Sequence, residues 1–227
     1  NYKKCLSSKK FRHISSNKII VTDHPYCLNN DATQDIMNIP LWISKWLINK
    51  FSKFQIKNQN LPSKIYIDRS DSETDTKNMR KILNETELLN LLEKNDFKKI
   101  KLSKISFEKQ VQLFYNADIV AGLHGAGFSN IIFCKSNTKI VEFKNSDQVK
   151  QYENLAIKNQ LNYKSIVCEP QNTLSNNQNA HISIPLDSLI TDNKVNAIIL
   201  KSLKVFAGTG EPQKAEMTLD VYGDVKQ

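Results

Sequence analysis

The sequence predicts an α/β fold in which helices cover both faces of a parallel sheet. From residue 64 onward, short runs typical of strands alternate with longer runs typical of helices, and the connections between them are short. Three of the six glycines fall within the stretch AGLHGAGFSN, residues 121–130, where a strand pattern changes to a helix pattern. Both observations favour a doubly wound, Rossmann-like sheet with a loop at the edge where such sheets bind ligands.

Individual elements are assigned from residue type and from the spacing of apolar residues. Strands are predicted at residues 18–23, 64–69, 98–105, 118–123, 138–143 and 162–167. Helices are predicted at residues 40–51, 75–97, 106–118, 127–135, 149–161 and 188–206. Ser106 has the position and the side chain of an N-cap. Trp42 and Trp46 lie one turn apart in the first helix, and we expect them to face the core.

The chain divides into three predicted regions. Residues 1–63 form a partial N-terminal or linking region, residues 64–206 form the Rossmann-like domain, and residues 207–227 form a tail of different composition. The tail is interpreted as a fused or misframed segment or a small hairpin. It is similar to the end of a tyrosine recombinase, but the Arg and His boxes of that family are missing, so Tyr222 is given no catalytic role. Because the sequence opens without Met, we expect it to be a piece of a longer protein.

Composition narrows the classes of function. The net charge is +9, but the 32 basic residues are spread along the chain, which favours a solvated surface over a nucleic-acid interface. The alternative is attraction to anionic lipid headgroups, with peripheral membrane association, or to a phosphorylated substrate. The apolar runs are too short to span a bilayer. The four cysteines are far apart, which predicts reduced thiols in a cytoplasm and neither a zinc site nor a disulfide framework.

The glycine cluster predicts a phosphate site. Gly125 and Gly127 would let the backbone turn sharply and approach a ligand, and the N–H groups of the following helix would face an anion. The alternative is a tight turn packed against a neighbouring element, and the spacing leaves both interpretations open. The spacing differs from the dinucleotide fingerprint, the P-loop and the hydrolase nucleophile elbow.

A set of spaced motifs is more specific than the glycines alone. Arg69 follows a strand, Arg80 precedes Asn84 by four residues, Asn130 follows the HGAG segment, and the next strand ends near Glu142. Over residues 64–168, and more loosely over 18–60, this set resembles the glycosyltransferase family 61 domain. The resemblance implies the C-terminal, nucleotide-sugar-binding half of a GT-B-type enzyme. The donor-binding residues it implies are Arg69, Arg80, Asn84, His124, Gly125, Ala126, Gly127, Asn130 and Glu142.

The arginines are the first candidates for a diphosphate contact. The chain has only three Arg among its 32 basic residues, and Arg69 and Arg80 are two of them. Arg forms charge-assisted, bidentate bonds that can neutralise a departing diphosphate without a metal. The alternative is ion pairing at the surface, with Asp68 or Asp71 as partners.

The other residues have open alternatives. His124 is expected to contact the diphosphate or to act as a base. Glu142 is expected to accept bonds from sugar hydroxyls, or else to be an exposed carboxylate at a strand end. Asn130 is expected to bind the donor or to tie the loop together. The candidate bases are His124, His24, Asp23 and Asp68.

The family resemblance thus implies an inverting, metal-independent glycosyltransferase without a cofactor. We expect it to transfer a sugar from a nucleotide-sugar donor to a saccharide or glycolipid acceptor in bacterial capsule or other surface polysaccharide synthesis. The expected location is the cytoplasm or the inner face of the membrane, or the Golgi or ER lumen if the protein is eukaryotic. The alternative is a non-catalytic, nucleotide-sugar-binding fragment or degenerate copy. A phosphatase or isomerase is disfavoured, since no Asp- or Cys-based nucleophile motif occurs.

Overall fold

The computed structural model describes residues 32–70, 80–171 and 180–186. The chain forms two compact units, residues 1–36 and 37–227. The first described element, helix α1, spans Ala32–Met37. The predicted strand at 18–23, the predicted helix at 188–206 and the tail lie outside the described residues, and the predicted division into three regions stays a prediction.

A five-stranded, all-parallel sheet forms the centre of the second unit, in the order β2-β1-β3-β4-β5. Its strands are β1 (Lys64–Asp68), β2 (Lys98–Lys101), β3 (Ile119–Leu123), β4 (Lys139–Lys144) and β5 (Asn162–Val167). The winding direction reverses between β1 and β3, as in doubly wound folds. The predicted α/β, Rossmann-like class is therefore confirmed.

The connections between the strands are helical. The α-helices are α2 (Leu41–Lys50), α3 (Glu85–Glu93), α4 (Phe107–Asn116) and α5 (Gln151–Lys158). Short 3₁₀ helices span Ser52–Phe54, Leu102–Lys104 and Ala126–Phe133, and β6 (Pro170–Gln171) pairs antiparallel with β7 (His181–Ile182). Ser106 caps α4 as predicted, since its Oγ accepts the N–H of Lys109 at 3.4 Å.

The side chains of the sheet alternate between two cores. In β1, Ile65 and Ile67 pack on the face covered by α4, α5 and the Ala126–Phe133 helix, whereas Tyr66 packs on the face covered by α3. Every residue of β1 and β3 is buried, which is usual for central strands of a parallel sheet. Because helices cover both faces of the sheet, a ligand is expected to bind at the loops that follow the carboxyl ends of the strands.

The predicted helix at 75–97 is wrong at residues 80–84. Ile82 instead forms a parallel bridge with Ile182, and the backbone N–H of Leu83 donates to the Ile182 carbonyl at 2.8 Å. This distant pairing outweighs the local apolar spacing, so α3 begins only at Glu85. Arg80 therefore precedes this bridge and does not lie on a helix.

The expectation that Trp42 and Trp46 face the core is also wrong. The two side chains are 54% and 56% exposed, while Ser44 on the opposite face is fully buried. Leu47 supplies the inner face, where it packs against the core of the sheet. Because both faces of α2 are rich in apolar residues, their spacing does not indicate which face turns inward.

Candidate functional site

The candidate site lies at the reversal point of the sheet. Arg69 directly follows β1, and His124 and Gly125 directly follow β3, the neighbouring strand. The His124 N–H donates to the Phe143 carbonyl at 2.8 Å, which continues the ladder between β3 and β4 by one residue. In open α/β sheets, ligands bind at the carboxyl edge where the winding reverses.

Two guanidinium groups converge on one carbonyl oxygen at this edge. Nη1 of Arg69 donates to the His124 carbonyl, and Nε of Arg80 donates to the same oxygen at 3.0 Å. Burial lowers the pKa of Arg80 to about 10, and the neighbouring charge of Arg69 lowers it as well. The structure thus brings Arg69, Arg80 and His124 together, and their contact with a diphosphate stays a prediction.

Gly125 makes room for this arrangement. A Cβ atom at Gly125 would lie 2.7 Å from both Cζ and Nη1 of Arg69. A Cβ atom at Gly127 would lie 3.0 Å from Cγ2 of Ile67 and 3.1 Å from Cδ1 of Leu102. The expected sharp turn is present, since β3 ends at Leu123, the 3₁₀ helix begins at Ala126 and the Phe128 N–H donates to the Gly125 carbonyl at 2.9 Å, but no glycine in the described residues has a left-handed φ. These glycines are needed for space, because side chains pack closely against the loop.

Glu142 is the buried centre of a polar cluster. Its side chain is inaccessible to solvent, Oε1 contacts Nδ1 of His124, and Oε2 accepts the hydroxyl of Tyr163. The alternative of an exposed carboxylate at a strand end is therefore wrong, because Glu142 lies inside β4 beside Gly122 of β3. Burial, followed by the charge of Glu142, raises the pKa of Tyr163 well above its ordinary value.

His124 is held from two sides. Glu142 contacts Nδ1, and the ring of Tyr152 on α5 lies 5.1 Å from the imidazole, centroid to centroid. Fixing one nitrogen of a histidine orients the other for a ligand.

Tyr152 and Tyr163 are parts of the cluster that the sequence interpretation missed. A usable signal existed for Tyr163, because the parallel register sets it beside Ile140, two residues before Glu142 on the same face. For Tyr152, the available signal was its spacing of three and four residues from Leu155 and Ala156, which share the buried face of α5.

The two predicted asparagines make contacts that stabilise the loops. Nδ2 of Asn84 donates to the Ile184 carbonyl at 2.8 Å, and its Oδ1 accepts the Ile184 N–H at 2.9 Å. Nδ2 of Asn130 donates to Oε1 of Gln110 at 3.1 Å and to the Gly127 carbonyl at 3.4 Å. Their assignment to donor binding, like that of the exposed Ala126, stays a prediction.

Asp68 is the described candidate base at the end of β1. Its carboxylate accepts the N–H of Ser70 at 2.8 Å and the hydroxyl of Ser70 at 2.9 Å, and Nζ of Lys99 lies 3.7 Å away. The other candidates, Asp23 and His24, lie outside the described residues, as does Asp71.

The described parts of the chain contain neither a candidate metal centre nor a candidate membrane span. Within them, His, Cys, Asp and Glu do not form a group of three or more that could hold a metal ion. No helix in these parts has the length and apolar character needed to cross a membrane.

Comparison with known proteins gives a family and partial relatives. The family model described as Glycosyltransferase 61 matches residues 11–141. An EGF domain-specific O-linked N-acetylglucosamine transferase of Drosophila melanogaster is 35% identical over 80 residues, which is 34% of this chain and 15% of that protein. The proteins of the same name from Gallus gallus and Canis lupus familiaris are each 32% identical over 82 residues, 34% of this chain, and 15% and 16% of their own lengths.

The match thus spans about 15% of the length of these curated relatives. The family model, in contrast, covers more than half of the chain and includes Arg69, Arg80 and the HGAG loop. The chain belongs to the glycosyltransferase 61 family.

Proposed function

We propose that the chain binds the diphosphate of a nucleotide sugar at the reversal point of its sheet and transfers the sugar to a hydroxyl acceptor. The observation that carries this proposal is the convergence of Arg69 and Arg80 on the His124 carbonyl. Two like charges at close range repel each other, and this repulsion is, after burial, the second cause that lowers the pKa of Arg80. A diphosphate would relieve that repulsion and accept charge-assisted bonds from both planar groups.

Backbone groups of the glycine loop support the same proposal. The first N–H groups of the helix that begins at Ala126 have no acceptor within that helix. Such groups bind phosphate oxygens well, particularly beside cationic side chains. In this proposal the arginines and the backbone together carry the charge of the leaving diphosphate, so no divalent metal is required.

His124 is proposed as a contact to the diphosphate and not as the catalytic base. Its carbonyl is bound by both arginines, so it lies on the side of the leaving group. In an inverting transfer, the base removes the acceptor proton on the opposite side of the sugar. With Nδ1 against Glu142, the Nε2 atom of His124 is oriented for one further partner.

The proposal includes a GT-B architecture in which this chain supplies the donor-binding half. The first candidate acceptor is a saccharide or glycolipid of a bacterial surface polysaccharide, reached at the cytoplasmic face of a membrane. The named relatives favour a second candidate, the transfer of N-acetylglucosamine to a protein domain in the ER or Golgi lumen. Nucleic acid is not a proposed partner.

Calorimetric titration with a panel of nucleoside diphosphates tests the donor half of this proposal. Arg69→Ala should weaken binding, whereas Lys98→Ala, which removes an exposed charge from β2, should not. Release of nucleoside diphosphate with saccharide acceptors or an EGF domain then tests transfer. Binding without turnover would favour the non-catalytic alternative, and absence of binding to the whole panel would overturn both.

A further inference from the structure

The outer face of α2 combines two large aromatic side chains with positive charge. We define this face as Trp42, Lys45, Trp46 and Asn49, all of which are exposed. Soluble domains normally turn tryptophan inward, but here both tryptophans of the chain face outward and the buried side contains Ser44. Such an inversion indicates a surface that contacts something else.

The sequence segment that contains this face carries charge of one sign. Between Asp35 and Asp68 the sequence contains no Asp or Glu, although 23 such residues occur in the whole chain. The same stretch contains Lys45, Lys50, Lys53 and Lys57, all with exposed side chains. Overall net charge is +9, so attraction from the rest of the protein adds to that of these four lysines.

We infer that the outer face of α2 is a docking surface for an anionic lipid bilayer. Tryptophan prefers the boundary between headgroups and acyl chains, where its ring is apolar and its indole N–H remains hydrated. Lysine side chains reach from the same depth to anionic headgroups. A protein partner with an acidic groove would satisfy the charge, but the pairing of Trp with Lys on one helix face matches an interfacial helix more closely.

Vesicle binding of the 227-residue chain tests this inference without any sugar donor, so its failure is separate from failure of the transferase proposal. Because Trp42 and Trp46 are the only tryptophans, the whole tryptophan emission reports on this face. We expect a blue shift and cosedimentation with vesicles of phosphatidylcholine and phosphatidylserine. We expect neither with phosphatidylcholine alone, and high salt should reverse the binding.

Substitutions on the outer face of α2 test whether this face is the surface that binds the vesicles. The double substitution Trp42→Ala and Trp46→Ala should abolish cosedimentation while leaving the thermal unfolding temperature close to that of the wild type, since both side chains are exposed. Lys45→Gln should lower the partition coefficient by about fivefold, the effect of one lysine near an anionic surface. Lys98→Gln, on exposed β2, is the matched control and should change it much less.

Each of the following results would overturn the inference. The first is no binding to anionic vesicles, and the second is binding that the double tryptophan variant retains. The third is a dimer in sedimentation velocity that the double variant abolishes, because the face would then bind a second copy of this chain. A blue-shifted emission already present without lipid, in a monomer, would likewise show that the tryptophans are covered.

Discussion

The guanidinium group of Arg69 occupies the space, directly after β3, that a side chain at Gly125 would need. A methyl group on Gly125 would lie 2.7 Å from Cζ of Arg69, whose Nη1 donates to the His124 carbonyl. The backbone at Gly125 is extended, with φ of 166°, so its conformation is open to any residue. The glycine is therefore required by the arginine and not by the turn.

We expect Gly125→Ala to weaken diphosphate binding by displacing the Arg69 guanidinium. The loss should be about 1–3 kcal/mol, as for removal of a hydrogen bond to a charged group. Calorimetry with a nucleoside diphosphate measures it. In an Arg69→Ala background the same glycine substitution should have little further effect, because the group it displaces is already missing.

Gly122→Ala is the matched control for this substitution. Its Cβ would lie 3.1 Å from Cβ of Ile67, within the buried sheet. Overpacking there should lower the free energy of unfolding by about 1–3 kcal/mol and leave diphosphate affinity nearly unchanged. If Gly125→Ala binds the diphosphate as tightly as the wild type does, the proposed role of Arg69 is wrong.

Replacement of Arg80 by Lys should weaken diphosphate binding although the charge is kept. An ammonium group cannot donate to the His124 carbonyl and to two phosphate oxygens with the fixed geometry of a guanidinium. We expect a loss of about 1.5–3 kcal/mol by calorimetry at neutral pH. Lys81 is the exposed neighbour of Arg80, and Lys81→Gln should weaken diphosphate binding much less. Equal losses of affinity in the two variants would contradict the assignment of Arg80 to the diphosphate.

The pH dependence of Arg80→Lys gives a second test. In the wild type the pKa of Arg80 is about 10, so its charge, and with it diphosphate affinity, should fall as the pH rises through that value. Lysine starts from an ordinary pKa of about 10.4, below that of arginine, and would experience the same burial and the same charge of Arg69. The affinity of the variant should therefore fall at a lower pH than that of the wild type. Identical pH profiles would contradict this reasoning.

The strands of the sheet were predictable because local composition determines them. Residues 162–167 include Tyr163, Ile166 and Val167, which favour strands, and β5 occupies those residues. The predicted strand at 118–123 is apolar from Ile119 onward, as is usual for a central parallel strand, and β3 begins at that residue. Short connections then leave few topologies other than the doubly wound one.

The wrong or incomplete predictions concern residues whose structure depends on contacts with distant parts of the chain. Ile82 pairs with Ile182, one hundred residues away, and no local pattern at residues 80–84 indicates that partner. The motif identified Glu142 but not its surroundings. His124, directly after β3, and Tyr163, on β5, both contact its buried carboxylate. The reason for Gly125 likewise became visible only with the guanidinium of Arg69 beside it.

Tyr163→Phe should change how stability depends on pH. Burial, and then Glu142, raises the pKa of Tyr163 in the folded protein, so its phenol stays protonated above the ordinary value of about 10. The unfolded chain ionises there, and stability from this group is present below pH 10 and lost as the pH rises above it. Phenylalanine does not ionise, so the variant should lose less stability in that alkaline range. Urea unfolding at a series of pH values measures the difference.

Tyr66→Phe is the matched control, because the pKa of Tyr66 is also raised but its hydroxyl does not contact Glu142. Burial, followed by Glu85, also raises the pKa of Tyr66, whose hydroxyl donates to Oε1 of Glu85 at 2.8 Å. Both variants should therefore lower the alkaline loss of stability. Only Tyr163→Phe should also weaken diphosphate binding, since Tyr163 helps to fix Glu142 and through it His124. Equal diphosphate affinities in the two variants would contradict a positioning role for Tyr163.

Donor binding should need no divalent metal. In our proposal Arg69, Arg80 and the N–H groups at the start of the Ala126–Phe133 helix meet the phosphate charge. Calorimetric titration of a nucleoside diphosphate should therefore give the same affinity with EDTA as without it, and affinity should decrease steadily with salt because charge pairs at an open edge are screened. The salt dependence should be smaller in Arg69→Ala, which has one fewer cation at the site. If EDTA abolished binding and magnesium or manganese restored it, the metal-independent mechanism would be wrong, and carboxylates such as Asp68 would become the residues to test as ligands.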